Sequence, residues 1–200
     1  YTENELKDII VKLYSKDNYV IDNIEQITEK ILNKNGKNCE ALKIDNLPSI
    51  VADCFIPLGI ACRPARWLRE YKLRYCSLPF DWMMNFPLST VISTLKYGVL
   101  SWFNEYVEDE KKKSPKKRYV TDTVNHIISM HGFPVDRSVD EYMLEFKETF
   151  SRRYERMKNI LETSENVCFV CNRNDTSYDF ILFLKELVKM YPQLKLQLLN

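Results

Sequence analysis

The last third of the chain carries the pattern that most restricts its fold. Asn166–Cys171 is a short apolar run suited to a strand. Tyr178–Tyr191 repeats its apolar residues at helical spacing, and Leu194–Leu199 returns to a strand after Pro192. A strand, a helix and a strand in succession form a crossover unit, so the two strands are expected to pair in parallel with the helix across one face. A second strand–helix junction lies upstream. Ile50–Pro57 is an apolar run, Leu58-Gly59-Ile60-Ala61 a tight connection, and a helix begins near Cys62 with Pro64 in its first turn, where proline is tolerated. Ala65, Trp67, Leu68 and Tyr71 follow within that helix. The two units predict an α/β to α+β fold.

Between them the pattern is less regular. Leu78-Pro79-Phe80-Asp81-Trp82 reads as a loop leading into a helix. Pro87 opens a further helix with Leu88, Val91, Ile92, Leu95, Val99 and Phe103 on its apolar side. Tyr119–Met130 fits strand or helix equally, and His131-Gly132-Phe133-Pro134 reads as a turn. Ser138 and Glu141 form a capping box, opening a helix with Tyr142, Phe146, Phe150, Tyr154, Met157 and Leu161 on one face. Arg152, Arg153 and Arg156 on that helix are expected to face solvent or pair with nearby acids rather than hold a phosphate. At the other end, residues 2–34 show two short helical repeats, broken at Ser15–Asn18, that predict a helical hairpin. The expected division is therefore residues 1–38 as a hairpin appendage and 39–200 as the main domain.

Composition narrows the function classes. The 200 residues are 45% hydrophobic, enough for a real core, and 29 basic against 28 acidic residues leave a net charge of +1. That balance argues against dedicated nucleic-acid binding. The basic block Lys111–Arg118 could serve such a role, but it reads more simply as a solvated loop around Pro115 offset by the acids before it. No apolar run approaches the ~18 residues of a membrane span. Only four glycines are present, with no G-x-G-x-x-G and no Walker A pattern, which disfavours those modes of nucleotide binding. Six cysteines without a secretory segment predict free thiols in a reducing, cytoplasmic setting. Cys168 and Cys171 form a C-x-x-C, but inside a strand and without a second ligand pair. They are therefore expected to be buried strand cysteines rather than zinc ligands or a redox pair. No cofactor is expected.

Cys62 is the one thiol with a position suited to chemistry. It falls where a strand has ended and a helix begins. There, unpaired backbone N–H groups and the helix dipole favour thiolate, the nucleophilic form. Arg63 and Arg66 add positive charge nearby. A cysteine at such a junction can equally be a small core residue. A catalytic cysteine also needs a base, and the chain has two histidines. His131 lies in a turn that would expose its ring, whereas His126 lies in the apolar run Val124–Met130 and reads as structural. The group orienting the imidazole could be Asp81, Asn172, Asp136 or Asp175. Phe80 and Trp82 read as core aromatics or as a substrate wall, and Asp81 as a structural partner of Arg66, Arg69 or Arg74 as readily as a catalytic group.

The stretch Pro57-Leu58-Gly59-Ile60-Ala61-Cys62-Arg63-Pro64-Ala65-Arg66-Trp67-Leu68-Arg69, then Leu73-Arg74, then Pro79-Phe80-Asp81-Trp82, resembles the signature of a family of unknown function classed among papain-like cysteine peptidases. The resemblance covers roughly residues 50–199. It implies a papain-like-related thiol hydrolase domain with Cys62 as nucleophile, His131 as base and Asp81 (or Asn172) orienting the ring, acting on a protein or peptide. Members of that family often carry an acid after the histidine, where this chain has Gly132. The glutamine that precedes the cysteine in well-studied papain-like enzymes has no counterpart in Cys54-Phe55-Ile56. These departures give a second expectation, a binding module that keeps the fold without turnover. A carbohydrate-acting enzyme is a third, with no nucleotide-sugar site to single it out.

Overall fold

The computed structural model describes residues 52–112 and 114–200. The expected hairpin, its boundary near residue 38, and Cys39 lie outside the described residues. Two sheets organise the rest. The first is parallel, with order β1 (Cys54–Pro57), β6 (Asn166–Val170), β7 (Lys195–Leu199). The second is antiparallel, with order β2 (Met83–Met84), β5 (Ile128–Ser129), β4 (Val120–Asp122), β3 (Tyr106–Glu108). Helix α1 spans Arg63–Glu70, α2 Leu88–Tyr97, α3 Val139–Thr163 and α4 Ser177–Met190. Parallel and antiparallel pairing are kept apart in different sheets, so the fold is α+β. No described helix is long and apolar enough to cross a membrane.

The crossover read from the sequence is present. Strands β6 and β7 pair in parallel, Val167 against Leu196 and Phe169 against Leu198, with α4 between them in the chain. The central strand β6 also pairs with β1, Phe55 against Cys168. Val167, Cys168 and Phe169 are buried in succession, as expected of a strand covered on both faces. Side chains pin the loops at both ends of the sheet. At the amino end, Asp53 Oδ2 accepts the N–H groups of Glu165 and Asn166 at 2.8 and 2.9 Å, which holds its carboxyl below the usual range. At the carboxyl end, the buried Arg173 donates to Leu58 O, to Phe86 O and to Asp175, tying three loops together.

Helices α3 and α4 each start at a capping box. Ser138 and Glu141 form the expected capping box of α3, and Thr176 with Asp179 forms another for α4. Phe146 stacks on Phe133 at 4.5 Å and on Phe150 at 4.2 Å, and Phe150 meets Trp102, which meets Phe80. This chain of rings forms much of the core around α3. The fully buried Asp122 organises the antiparallel sheet, accepting N–H groups from Phe103, Val124 and Asn125 and the Asn125 amide.

Four readings need correction. The Leu78–Trp82 segment leads into the two-residue strand β2, not a helix. Helix α2 ends at Tyr97, where the Gly98 N–H closes the last turn onto Thr94 O. Val99 and Phe103 therefore reach the core from a turn rather than from the helix face. The ambiguous run 119–130 is a β-hairpin, β4–β5, with His126 exposed in its turn at φ 55°. In the basic block Lys111, Lys112, Lys116 and Lys117 are exposed as expected. Arg118 is instead buried, ion-paired to Glu108 at 2.7 Å and donating to Pro134 O and Arg137 O.

Candidate functional site

Cys62 lies at the carboxyl end of β1, the end where ligands meet parallel sheets. It is the N-cap of α1, and its carbonyl accepts the Arg66 N–H at 3.0 Å. Pro64 sits in the first turn as expected, so the N–H groups of Arg63 and Ala65 remain there without an acceptor in the helix. Gly59 allows the connection to fold this tightly. A Cβ at Gly59 would stand 2.4 Å from the Pro64 ring, so a larger residue would push the helix start away from the strand. The loop is also fastened sideways. Ile60 N–H donates to Asn172 O, Asn85 N–H donates to Ile60 O, and Arg173 holds Leu58 O.

The other described cysteines differ. Burial pushes the thiols of Cys168 and Cys171 up to about 12 and that of Cys54 to about 11, and it also raises Cys76. Cys62 is partly exposed. Cys168 and Cys171 are both buried free thiols, and among the described residues no group of His, Cys, Asp or Glu is arranged to hold a metal ion.

Asp81 is buried, 1% exposed, and its Oδ2 accepts from Arg74 Nε at 3.1 Å, from the second Arg74 nitrogen, and from the Leu78 N–H at 3.2 Å. Its Oδ1 has no hydrogen-bond partner among the described residues. Burial pushes the carboxyl up, and the Arg74 guanidinium opposes that rise. Of the arginines weighed as partners for Asp81, Arg74 is thus the one engaged. Arg66 pairs with Glu70 and Arg69 lies against Trp82. Trp82, next in the chain, has the Arg69 and Arg74 guanidiniums each 5.9 Å from its ring centroid.

His131 follows β5 and lines a pocket of about 120 Å3 with Trp82, Met83, Gly132, Phe150 and Arg153. Burial lowers the basicity of its ring, and the charge of Lys117 lowers it further. Gly132 has a local reason. A Cβ there would stand 2.5 Å from Ser129 Oγ, which accepts the Gly132 N–H, and 3.0 Å from the Phe146 ring. An acidic side chain at this position would have to displace both.

Among the described residues no hydrogen bond joins His131 to Cys62 or to Asp81; the carboxylate is held by Arg74 instead. The two halves of the site are nonetheless linked through β2. Met83 pairs with Ser129 two residues before His131, and Asn85, two residues after Met83, bonds to Ile60 beside Cys62. Of the other candidates, Asp175 is engaged by Arg173, Asn172 bonds to the Cys62 loop through its carbonyl, and Asp136 is exposed.

Arg153 was missed as a site residue. It is half-buried in the pocket with its guanidinium 4.6 Å from the Phe150 centroid, while Arg152 and Arg156 are exposed as expected. The signal was present in the sequence. Phe146, Phe150, Arg153 and Met157 fall at i, i+4, i+7 and i+11, so Arg153 belongs to the core-facing stripe.

Comparison with known proteins identifies a family. A family described as "Putative papain-like cysteine peptidase (DUF1796)" matches residues 53–200. The chain is also similar to "Uncharacterized protein R408" of Acanthamoeba polyphaga mimivirus, at 25% identity over 134 residues, 58% of this chain and 60% of that protein. The match thus spans less than two thirds of that relative. No solved structure matches the chain. With well over half its length matched, including the Cys62 junction and the Phe80-Asp81-Trp82 segment, the chain belongs to this papain-like cysteine peptidase family of unknown function.

Proposed function

We propose that the protein is a cysteine-dependent hydrolase or acyltransferase of papain-like type, with Cys62 as nucleophile and His131 as base. The observation that carries the reading is the placement of Cys62 alone among the described cysteines. It is a partly exposed thiol at a helix start on the carboxyl end of a buried parallel strand, in a chain of this family.

In this reading His131 takes the proton of the Cys62 thiol, and the resulting thiolate attacks a substrate carbonyl, forming the S–C bond as the C=O π pair moves onto oxygen to give a tetrahedral oxyanion. The N–H groups of Arg63 and Ala65 in the first turn of α1 supply donors for that oxygen in place of a glutamine. Collapse expels the leaving group, which takes its proton from His131, and leaves a thioester on Cys62. Water then releases an acid, or another nucleophile accepts the acyl group. His131 must approach Cys62 for this, through adjustment of the turn after β5. Asp81 acts in the proposal as a positioning residue, through the packing of Trp82 against the pocket, with its Oδ1 as the open acceptor.

The test is turnover of a mixed peptide and thioester library by the full chain. Activity is expected to vanish in Cys62→Ala and His131→Ala and to persist in Cys76→Ala. Turnover surviving in Cys62→Ala overturns the proposal. A second reading, a binding module without turnover, is favoured by the engagement of Asp81 with Arg74 rather than with a histidine. It predicts no turnover in any variant, with ligand binding intact.

A further inference from the structure

The structure assigns the pocket between Trp82 and Arg153 to binding a carboxylate on a short apolar stem, such as an acidic side chain of a peptide. Arg153 enters the pocket from the core stripe of α3, with its guanidinium over the Phe150 ring, 4.6 Å from the centroid. Its guanidinium carries five N–H donors, and none of them has an acceptor among the described residues. A half-buried guanidinium is ordinarily met by a carboxylate, bound through two parallel N–H groups.

The protein's own nearby carboxylate does not fill that role. Asp81 attracts Arg153 electrostatically, but its hydrogen bonds go to Arg74 and Leu78. Arg74 and Arg156 repel Arg153, and Lys117 adds positive charge on the His131 side. The pocket is thus left positive, with the Arg153 donors set in a lining rich in rings.

Size and lining choose between anions. About 120 Å3 is somewhat less than the roughly 150 Å3 that admits a benzene ring, so a group of about five heavy atoms, such as a carboxylate on two methylenes, fits. Phe146 and Phe150 accept methylene groups and offer no hydrogen bond, while the Trp82 indole N–H, the Tyr142 hydroxyl and the His131 ring are the other polar groups of the lining. A carboxylate that places its stem on the two phenylalanine rings suits the site better than a phosphate. Thr149 supplies one further hydroxyl.

This deepens the thiol-hydrolase reading, and rests on it, only in placing an acidic residue beside His131; the binding itself is tested without turnover. The full chain carrying Cys62→Ala is titrated with glutarate by calorimetry and tryptophan fluorescence. Saturable binding is expected, weakened at least tenfold by Arg153→Met, weakened less by Arg153→Lys, and unchanged by Lys158→Met, a basic residue of the same helix outside the pocket. Glutaramide, which lacks the charge, is expected not to bind. If Arg153→Met fails to fold, Arg153→Lys together with glutaramide decides the matter. Absent binding, or binding insensitive to both Arg153 changes, overturns the site. Tighter binding of inorganic phosphate than of glutarate, lost in the Arg153 variants, overturns the carboxylate assignment.

Discussion

Replacing Arg74 by Met isolates what the Asp81 carboxylate costs the fold. Asp81 is 1% exposed and Arg74 19%, so the pair is largely shielded from water. Three N–H donors converge on Oδ2, two of them from Arg74. Without Arg74 one backbone N–H remains, and a buried charge is left uncompensated. Breaking a buried pair in this way costs about 3–5 kcal/mol. At about 2–4 °C per kcal/mol for a chain of this size, the melting temperature falls by roughly 6–20 °C. The pH dependence fixes the cause. Burial already raises the folded-state pKa of Asp81 above the unfolded value of about 3.9, and loss of Arg74 raises it further. A group with a raised folded pKa favours folding below its unfolded pKa, and that contribution is lost as pH rises through the folded value. The penalty of Arg74→Met is therefore largest near pH 7 and shrinks toward pH 4. Urea unfolding across that range measures it, and the double variant Arg74→Met/Asp81→Leu is expected to regain most of the loss. A penalty below about 1 kcal/mol at pH 7, or one that does not change with pH, would refute the reasoning.

Two further substitutions test the supports of the site. Gly132→Ala brings a Cβ against Ser129 Oγ and the Phe146 ring, and is expected to cost about 1–3 kcal/mol in urea unfolding, partly regained with Ser129→Gly; a neutral result would show that the turn has slack. Arg173→Met strands two carbonyls and the Asp175 carboxylate, and is expected to cost about 3–5 kcal/mol. It is also expected to narrow the difference in alkylation rate between Cys62 and Cys76, because the Cys62 loop loses its fastening. An unchanged difference would mean that the loop is held by other contacts.

Much of the fold was legible because its signals are local. The β6–α4–β7 crossover announces itself by a change of hydrophobic period, and the α3 start by Ser138 and Glu141, whose side chains cap the backbone they adjoin. The failures are places where distant groups decide. Val99 and Phe103 continue the period of α2 past its end, since the core they fill lies beyond Gly98 as well as along the helix. The run 119–130 becomes a hairpin because Asp122 gathers N–H groups from its own turn and from Phe103. Arg118 looked like part of a solvated block, yet its partners come from two other segments, Glu108 from β3 and Pro134 and Arg137 from the loop before α3. For the site, the Cys62 junction was readable from the strand, Gly59 and Pro64. The engagement of Asp81 by Arg74 was one of several pairings that spacing allowed. Arg153 was hidden by its exposed neighbours Arg152 and Arg156, although its helical stripe with Phe146 and Phe150 marked it as inward-facing.

The central claim is that Cys62 is the reactive thiol. Brief exposure of the native full chain to iodoacetamide at pH 7, followed by peptide mapping, measures it directly. Cys62 is expected to be alkylated first and several-fold ahead of Cys76. Cys54, Cys168 and Cys171, whose thiols burial pushes to about 11, 12 and 12, are expected to stay unmodified until the protein unfolds. Labelling of Cys62 no faster than Cys76 would contradict the account.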